Sequence, residues 1–293
     1  MTLQSKANPA NATIESSHHA QIDRGERFEF GENWTRFLAV LDERRIKEAE
    51  DSLKSMLGVD SLRGKSFLDV GSGSGVFSLA ARRLGARVHS FDFDPKSVAC
   101  TKALKRQYFL DDPQWTIEEG SILDLDYLRS LGKFDVVYSW GVLHHTGKMW
   151  TALDNVALAV GQGGRLFIAI YNDLGWRSVA WRWIKSTYNR APRFLRTPLV
   201  LSVLVPGQMK AFLQSVATLK VGQYVRSWTH YEKNRGMSRW HDAVDWIGGY
   251  PYEVATSQKL IDFYKTRGFE LVKQVAPEYK LGCNELVLVR NRG

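Results

Sequence analysis

Cysteine is almost missing from this chain of 293 residues, which has only Cys100 and Cys283. Two thiols allow one disulfide at most, so a disulfide-stapled scaffold is excluded, and so sparse a use suits a reducing compartment. Long apolar runs are lacking as well. The longest, Leu199 to Val205, falls far short of the ~20 residues that span a bilayer, so no integral membrane protein is expected. The opening residues, through Ser5, Asn8, Asn11 and His18-His19, hold no apolar stretch and read as no secretory signal. No internal repeat, collagen-like pattern or low-complexity tract is present. The expectation is a soluble, cytoplasmic, globular protein. At roughly 150 residues per domain the chain allows one large or two modest domains, and 44% apolar residues build a core without staples.

Acidic residues are also scarce in one part of the chain. Between Asp173 and Tyr250 there are twelve Lys and Arg against four Asp and Glu, which places most of the net charge of +9 there. Six of the ten tryptophans fall in the same segment. A basic, aromatic stretch suits an anionic partner, whether a carboxylate or phosphate substrate, a nucleic acid or an acidic membrane surface. A solvated basic face over an aromatic core accounts for the composition equally well.

Residues 1–24 are polar and aperiodic and read as a disordered tail. From Phe37 to Leu57, apolar residues recur at helical spacing through Val40, Leu41, Ile46, Ala49, Leu53 and Met56. Strand and helix then alternate. Strands are predicted at Ser66–Val70, Arg87–Phe91, Trp115–Glu118, Val136–Tyr138 and Arg165–Tyr171, with helices over Val76–Leu84 and Lys96–Tyr108. Short links between them imply a mostly parallel sheet covered on both faces. The rhythm breaks over 173–250, where Pro192, Pro198 and Pro206 join the tryptophans and suggest a helical lid inserted into the core. It resumes with a helix capped by Thr256 or Ser257 and stopped by Gly268. Phe269–Val275 and Glu285–Val289 follow as an antiparallel closing pair. The expected architecture is therefore a Rossmann-like α/β fold: a seven-stranded, mostly parallel sheet with core segments at 25–172 and 251–293.

The sharpest motif is Phe67-Leu68-Asp69-Val70-Gly71-Ser72-Gly73-Ser74-Gly75, an apolar strand entering three alternate glycines and then a helix. Glycine permits a tight turn and close approach to a ligand. Asp92 follows Gly71 by 21 residues, at the end of the second strand, where a carboxylate can grip ribose hydroxyls. The spacing is G-x-G-x-G rather than the G-x-G-x-x-G of dinucleotide folds, and no G-x-x-x-x-G-K-[ST] phosphate loop occurs. Over about residues 60–172 and the closing strands, the chain resembles the class I S-adenosylmethionine-dependent methyltransferases. The resemblance implies that Asp69, Gly71, Gly73 and Gly75 serve the methionine end of S-adenosylmethionine and Asp92 its ribose. Ser121 and Ile122 of Gly120-Ser121-Ile122-Leu123-Asp124 then lie where the family holds adenine, and Trp140 is a further cofactor contact.

After the fourth strand the chain reads Ser139-Trp140-Gly141-Val142-Leu143-His144-His145, without the Asn- or Asp-Pro-Pro-aromatic motif of amino-group methyltransferases. This is closer to small-molecule members, including the ubiquinone-biosynthesis O-methyltransferases and 2-oxo acid C-methyltransferases. In the ubiquinone enzymes two glutamates and a histidine of this segment are associated with a divalent cation. Here His145 matches the histidine, His144 stands for one glutamate and Gly141 for the other. Imidazole titrates near neutrality, so either histidine could take the acceptor's proton, or the pair could hold a divalent metal ion with His241. Adjacent side chains diverge in a strand, so both serve one site only if the chain turns there. From the lid, Arg235 and Arg239 could clamp an acceptor carboxylate, with Trp240 beside them. The expectation is methyl transfer to the oxygen or carbon of an anionic small molecule. Its alternative is a cofactor-binding regulatory protein that docks its basic lid on RNA or a membrane surface. No nucleic-acid recognition module is readable. The stretch Trp176–Leu195, with five Lys and Arg among its aromatics, makes peripheral membrane contact an option. Oligomeric state is not legible.

Overall fold

The computed structural model describes residues 9–229, 239–277 and 280–292. Seven strands, β1 (Ser66–Val70), β2 (Arg87–Asp92), β3 (Trp115–Glu119), β4 (Phe134–Trp140), β5 (Val160–Tyr171), β6 (Phe269–Val275) and β7 (Cys283–Arg290), form one sheet in the order β3-β2-β1-β4-β5-β7-β6. The first five run parallel, and β7 is antiparallel to both β5 and β6. The chain winds outward from β1 to β3 and then crosses back to β4. The carboxyl ends of β1 and β4 therefore meet at the topological switch point, where open α/β sheets bind ligands. The expected Rossmann-like fold is the one observed.

Side-chain alternation decides which helices cover each face. Leu68, Val70, Val137, Leu166, Ile168 and Leu288 point into one core, shared with α6 (Leu125–Leu131), α7 (Met149–Leu158) and α12 (Ser257–Lys265). Phe67, Val88, Val136, Tyr138, Phe167 and Val287 point into the other, against α3 (Glu43–Leu57) and α4 (Val76–Arg83), with α5 (Pro95–Tyr108) beside them. Helix starts follow local chemistry. Asp94 accepts from Lys96 N–H ahead of Pro95, Asp124 accepts from Asp126 and Tyr127 N–H, and Thr256 accepts from Lys259 N–H. Such caps contribute about 1 kcal/mol each.

Three expectations are corrected. The periodic stretch Phe37–Leu57 is two helices, α2 (Gly31–Leu38) and α3, because the Asp42 side chain accepts from Arg45 N–H and restarts the helix; Val40, in the link, is exposed. The tail is helical from Pro9 as α1 (Pro9–Asp23). Its His18 is buried, packs edge-on against Phe93 with centroids 5.5 Å apart, and lies 3.7 Å from Asp94. The third correction concerns hydropathy. The insertion holds α8 (Trp176–Arg190), α9 (Arg193–Ala217), α10 (Val221–Thr229) and α11 (Arg239–Gly248). By length and composition α9 could cross a membrane, and only 11% of its most apolar window is buried. No unbroken apolar run signals it, because neutral Ser, Gly and Gln interrupt the run without adding charge. The two cysteines are free.

Residues 27–34 thread from α1 to α2 between the sheet and the insertion. Phe28 N–H donates to the Tyr250 carbonyl at 2.9 Å, and the Phe28 ring lies so close to Gly248 that an added Cβ would stand 2.2 Å from it. Gly248→Ala is therefore expected to cost about 1–3 kcal/mol through overpacking. It should also speed tryptic cleavage at Arg24 and Arg27 while the sheet core stays resistant. Unchanged stability and cleavage would show that this contact yields without consequence.

Candidate functional site

The turn between β1 and α4 is drawn over the end of β2. Gly71 and Ser72 N–H both donate to the Phe91 carbonyl, at 2.9 and 3.1 Å. Gly71, Gly73 and Gly75 all have positive φ (78°, 54° and 82°), a region that L side chains rarely adopt. Space is as restrictive as backbone angle here: a Cβ on Gly71 would strike Val142 at 2.4 Å, and one on Gly75 would strike Thr101 at 2.8 Å. Asp92 braces the turn, its Oδ2 accepting from Gly73 N–H and its Oδ1 from Asp94 N–H, each at 2.9 Å. Burial pushes the Asp92 carboxyl up to about 6, against the pull of those two N–H donors. Each oxygen keeps a lone pair for a further donor.

Asp69 sits differently from its expected place among the ligand contacts. It shares the face of β1 with Phe67 and is 2% exposed, and Ser78 Oγ of α4 donates to its Oδ2 at 2.5 Å. Ser78 in turn meets Ser90 Oγ, which accepts from the Trp115 indole. The carboxyl fixes α4 beneath the turn and does not face the crevice. Burial raises it to about 7.

Beyond β4 the chain does turn. Leu143–His145 forms one 3-10 turn, which brings the two imidazoles to 4.4 Å between centroids. Both are buried, yet their nitrogens are committed differently. His144 Nδ1 accepts from Tyr171 N–H at 3.4 Å, continuing the β4–β5 edge. That assigns its proton to Nε2, which is buried without a partner. His145 Nδ1 lies 2.6 Å from the Pro251 carbonyl and must donate to it, so the lone pair of His145 is on Nε2. Burial holds His144 well below the ordinary imidazole range, with His145 and Lys185 adding to the effect. His145 is lowered to about 3, again chiefly by burial. Both rings are neutral at physiological pH. Tyr171 packs against both, at 4.0 Å from His144 and 5.4 Å from His145, and Phe30 lies 4.9 Å from His145.

The N-terminal segment roofs this ground, and sequence reasoning missed it. Trp34 of α2 lies on Gly73, its indole 3.0 Å from where a Cβ would be. Gly31 N–H donates to Asp94 Oδ2 at 2.8 Å. Arg27 donates to the His145 carbonyl at 3.2 Å and to Gln21 at 2.8 Å, and its guanidinium stacks on Phe93 at 4.9 Å. Asn33 bonds Asp245 of α11, whose carboxyl is raised to about 7 by burial and then by Asp242. The aromatic spacing Phe28, Phe30, Trp34 was the available signal. Lys185 of α8 was missed too. Fully buried, it donates to the Trp246 carbonyl and sits 4.3 Å over the Trp246 ring, and desolvation lowers it to about 7.

The other expected residues divide. Ser121 is half-buried, with Oγ accepting from Leu123 N–H, while Ile122 is buried and its carbonyl accepts from Asn155. Trp140 is exposed at the end of β4 and bonds the Glu285 carboxylate. Trp240 packs with Tyr188, Val200 and Ile247 in a small apolar cluster of the insertion, which corrects its reading as an acceptor contact. Arg235 lies outside the described residues. Arg239 and His241 lie on α11, but their side chains are outside the described ones. Among the described residues no three His, Cys, Asp or Glu side chains converge as a metal site. A cavity of about 750 Å³ opens past the end of β5, lined by Asn172, Trp176, Arg177, Thr256 and Asn284.

Comparison with known proteins points to one family of domains. Residues 68–166 match the family model described as Methyltransferase domain. A ubiquinone biosynthesis O-methyltransferase of Aeromonas salmonicida is 34% identical over 113 residues, covering 38% of this chain and 45% of that protein. The protein of the same name from Escherichia coli K12 is 33% identical over 116 residues, 39% and 46% of the two chains. The matched stretch thus spans less than half of these relatives. Among solved structures, magnesium protoporphyrin IX methyltransferase from Synechocystis PCC 6803 with bound SAM shares the fold at TM-score 0.51 and 12% identity, over 98% of this chain and 100% of that one. PKMT2 from Rickettsia typhi does so at TM-score 0.55 and 14% identity, over 84% and 53%. The chain is similar to S-adenosylmethionine-dependent methyltransferases in both sequence and fold.

Asp69 gives a pH test of its structural placement. An unfolded Asp ionises near pH 4 and the folded one near 7, so its contribution is fully present below about pH 4 and is lost as pH rises to about 7. Asp69→Asn does not titrate. Its stability relative to wild type should therefore climb between pH 4 and 7, by roughly 2–4 kcal/mol in all. Urea unfolding at both ends of that range measures this; a flat difference would place Asp69 in contact with water.

Proposed function

We propose that this chain transfers a methyl group from S-adenosylmethionine to an oxygen of an acidic small molecule, with His145 as the general base. One observation carries the assignment of the base. The Pro251 carbonyl fixes the proton of His145 on Nδ1 and leaves its Nε2 lone pair without a protein donor, whereas the His144 lone pair, on Nδ1, is taken by Tyr171 N–H. The relatives named as O-methyltransferases support the oxygen acceptor. An enolisable carbon is the other acceptor that the same base would serve.

The cofactor fits the turn. Its three glycines, all at positive φ, keep the turn tight over the end of β2, and the Asp92 carboxylate beside Gly73 N–H retains lone pairs suited to ribose hydroxyls. When bound, the cofactor supplies a methyl group made electrophilic by its positive sulfur. The chain's own residues then align the acceptor and manage one proton. His145 Nε2 accepts the proton of the acceptor hydroxyl, and the Pro251 carbonyl stabilises the imidazolium that results. His144 holds the 3-10 turn against β5 by accepting from Tyr171 N–H on Nδ1. Trp34, Phe30 and Tyr171 exclude water around the transfer. The half-buried charge of Arg27, next to His145, favours an anionic acceptor. A metal does not fit the described donors, since both Nδ1 atoms are engaged and no third ligand joins them; no step is assigned to one.

Two variants separate binding from chemistry. Asp92→Asn should weaken S-adenosylmethionine binding by about 1.5–3 kcal/mol, or roughly 10- to 100-fold, in titration calorimetry. His145→Ala should lower kcat by about 10²–10⁴ with cofactor affinity intact, and chelators should leave wild-type turnover unchanged. If His145→Ala turns over at the wild-type rate on acceptors found by a labelled-methyl screen of acidic metabolites, the base is elsewhere. Loss of activity on chelation, restored by one divalent ion, would reinstate the metal.

A further inference from the structure

From Leu174 to Thr229 there are nine Lys and Arg and no Asp or Glu. That charge equals the chain's entire net charge of +9, so the remainder is neutral as a whole. Only Lys185 among the nine is buried, and Arg177, Arg182, Arg190, Arg193, Lys210 and Lys220 are exposed. The same helices expose apolar side chains at helical spacing. On α8 these are Trp176, Val179 and Trp183, and on α10 Val221, Val225 and Trp228. On α9, Leu201, Val205, Met209, Phe212 and Val216 follow one another at intervals of three or four residues and are all more than 40% exposed. A helix of 25 residues is about 37 Å long, so this is a continuous stripe and not a scatter of single side chains. Isolated apolar residues need no explanation, whereas a contiguous patch rimmed by cations does.

We propose that α8–α10 form a docking surface for an anionic phospholipid bilayer, with α9 lying in the plane of the interface. The two halves of the pattern serve the two layers of such a surface. Leu, Val, Met and Phe enter the acyl boundary, Trp sits at headgroup level, and Lys and Arg reach the phosphates on their aliphatic stems. Crossing the bilayer is disfavoured because α9 is tied to the rest of the insertion. Its Val200 is 1% exposed against Tyr188 and Ile247, and Arg196 donates to the Ala191 and Asn189 carbonyls. Other occupants match one half of the pattern only. A second copy would set cation against cation across a two-fold axis, and nucleic acid would leave the aliphatic stripe uncovered.

The test is co-sedimentation of the full chain with vesicles of phosphatidylcholine alone or with about a third phosphatidylglycerol. Partition onto the anionic vesicles should be at least about tenfold stronger and should fall as salt is raised. Met209→Ser with Phe212→Ser should weaken it. Because Phe212 also packs edge-on against Tyr224 of α10, Met209→Ser alone, at a side chain 56% exposed, should weaken it without changing the thermal midpoint. Arg193→Gln with Lys210→Gln should weaken it about fivefold per charge. Failure to bind anionic vesicles, or equal binding to neutral ones, overturns the proposal. So does a lipid-free dimer that the Met209/Phe212 variant dissolves, or binding to an RNA duplex that this variant leaves unchanged. Methyl transfer is not read in any arm, so the surface and the reaction stand or fall separately.

Discussion

The half-buried guanidinium of Arg27 is the constraint on which the site depends. It lies on Phe93, the residue after Asp92, and bonds the carbonyl of His145, so one side chain spans the ends of β2 and β4. Burial lowers its pKa, and the charges of Asp92 and Asp94 oppose that shift. The cation and the two carboxylates thus make one another tolerable in a place from which water is largely excluded. Removing Arg27 would leave the two carboxylates facing each other without their cation. The segment that carries Arg27 also brings Phe30 onto His145 and Trp34 onto Gly73. The glycine turn and His145 are therefore held at a fixed separation by a strap that belongs to neither.

Neutral histidines at physiological pH follow from the same enclosure. An imidazole in water would be part protonated at the lower end of the cellular range. Here desolvation removes that charge from both rings. The hydrogen-bond partners then divide their roles, the Pro251 carbonyl directing one lone pair inward and the Tyr171 N–H consuming the other. Two adjacent, chemically identical residues thus hold opposite tautomers through backbone contacts alone.

The sheet was legible because its signals are local. Apolar strands, short links and the glycine run of residues 71–75 each occupy a few neighbouring positions, and the strand order follows from right-handed crossovers. The side to which Asp69 points was readable too, since alternation puts it with Phe67 and away from Leu68 and Val70. The roof was illegible for the opposite reason. Arg27, Asn33 and Phe28 find partners at positions 145, 245 and 250, and although the aromatics Phe28, Phe30 and Trp34 signal packing, nothing local names partners so distant. Composition likewise failed to separate Trp240, which packs inside the insertion, from Trp176 and Trp183, which do not. Hydropathy read as unbroken runs overlooked α9, whose apolar residues form a stripe only after the helix is wound.

The strap also fixes an order of assembly. During synthesis α1 and α2 emerge first, while the Tyr250 carbonyl, Pro251 and Asp245 that receive them emerge more than two hundred residues later. At ribosomal rates of about 5–20 residues per second, Phe28 waits many seconds for the Tyr250 carbonyl. The cofactor turn needs only β1, β2 and α4 and can form in that interval. The tautomer of His145 cannot be set then, because the Pro251 carbonyl that sets it has yet to be made. The histidine pair therefore reaches its final state in a late, long-range closure upon a sheet end already in place.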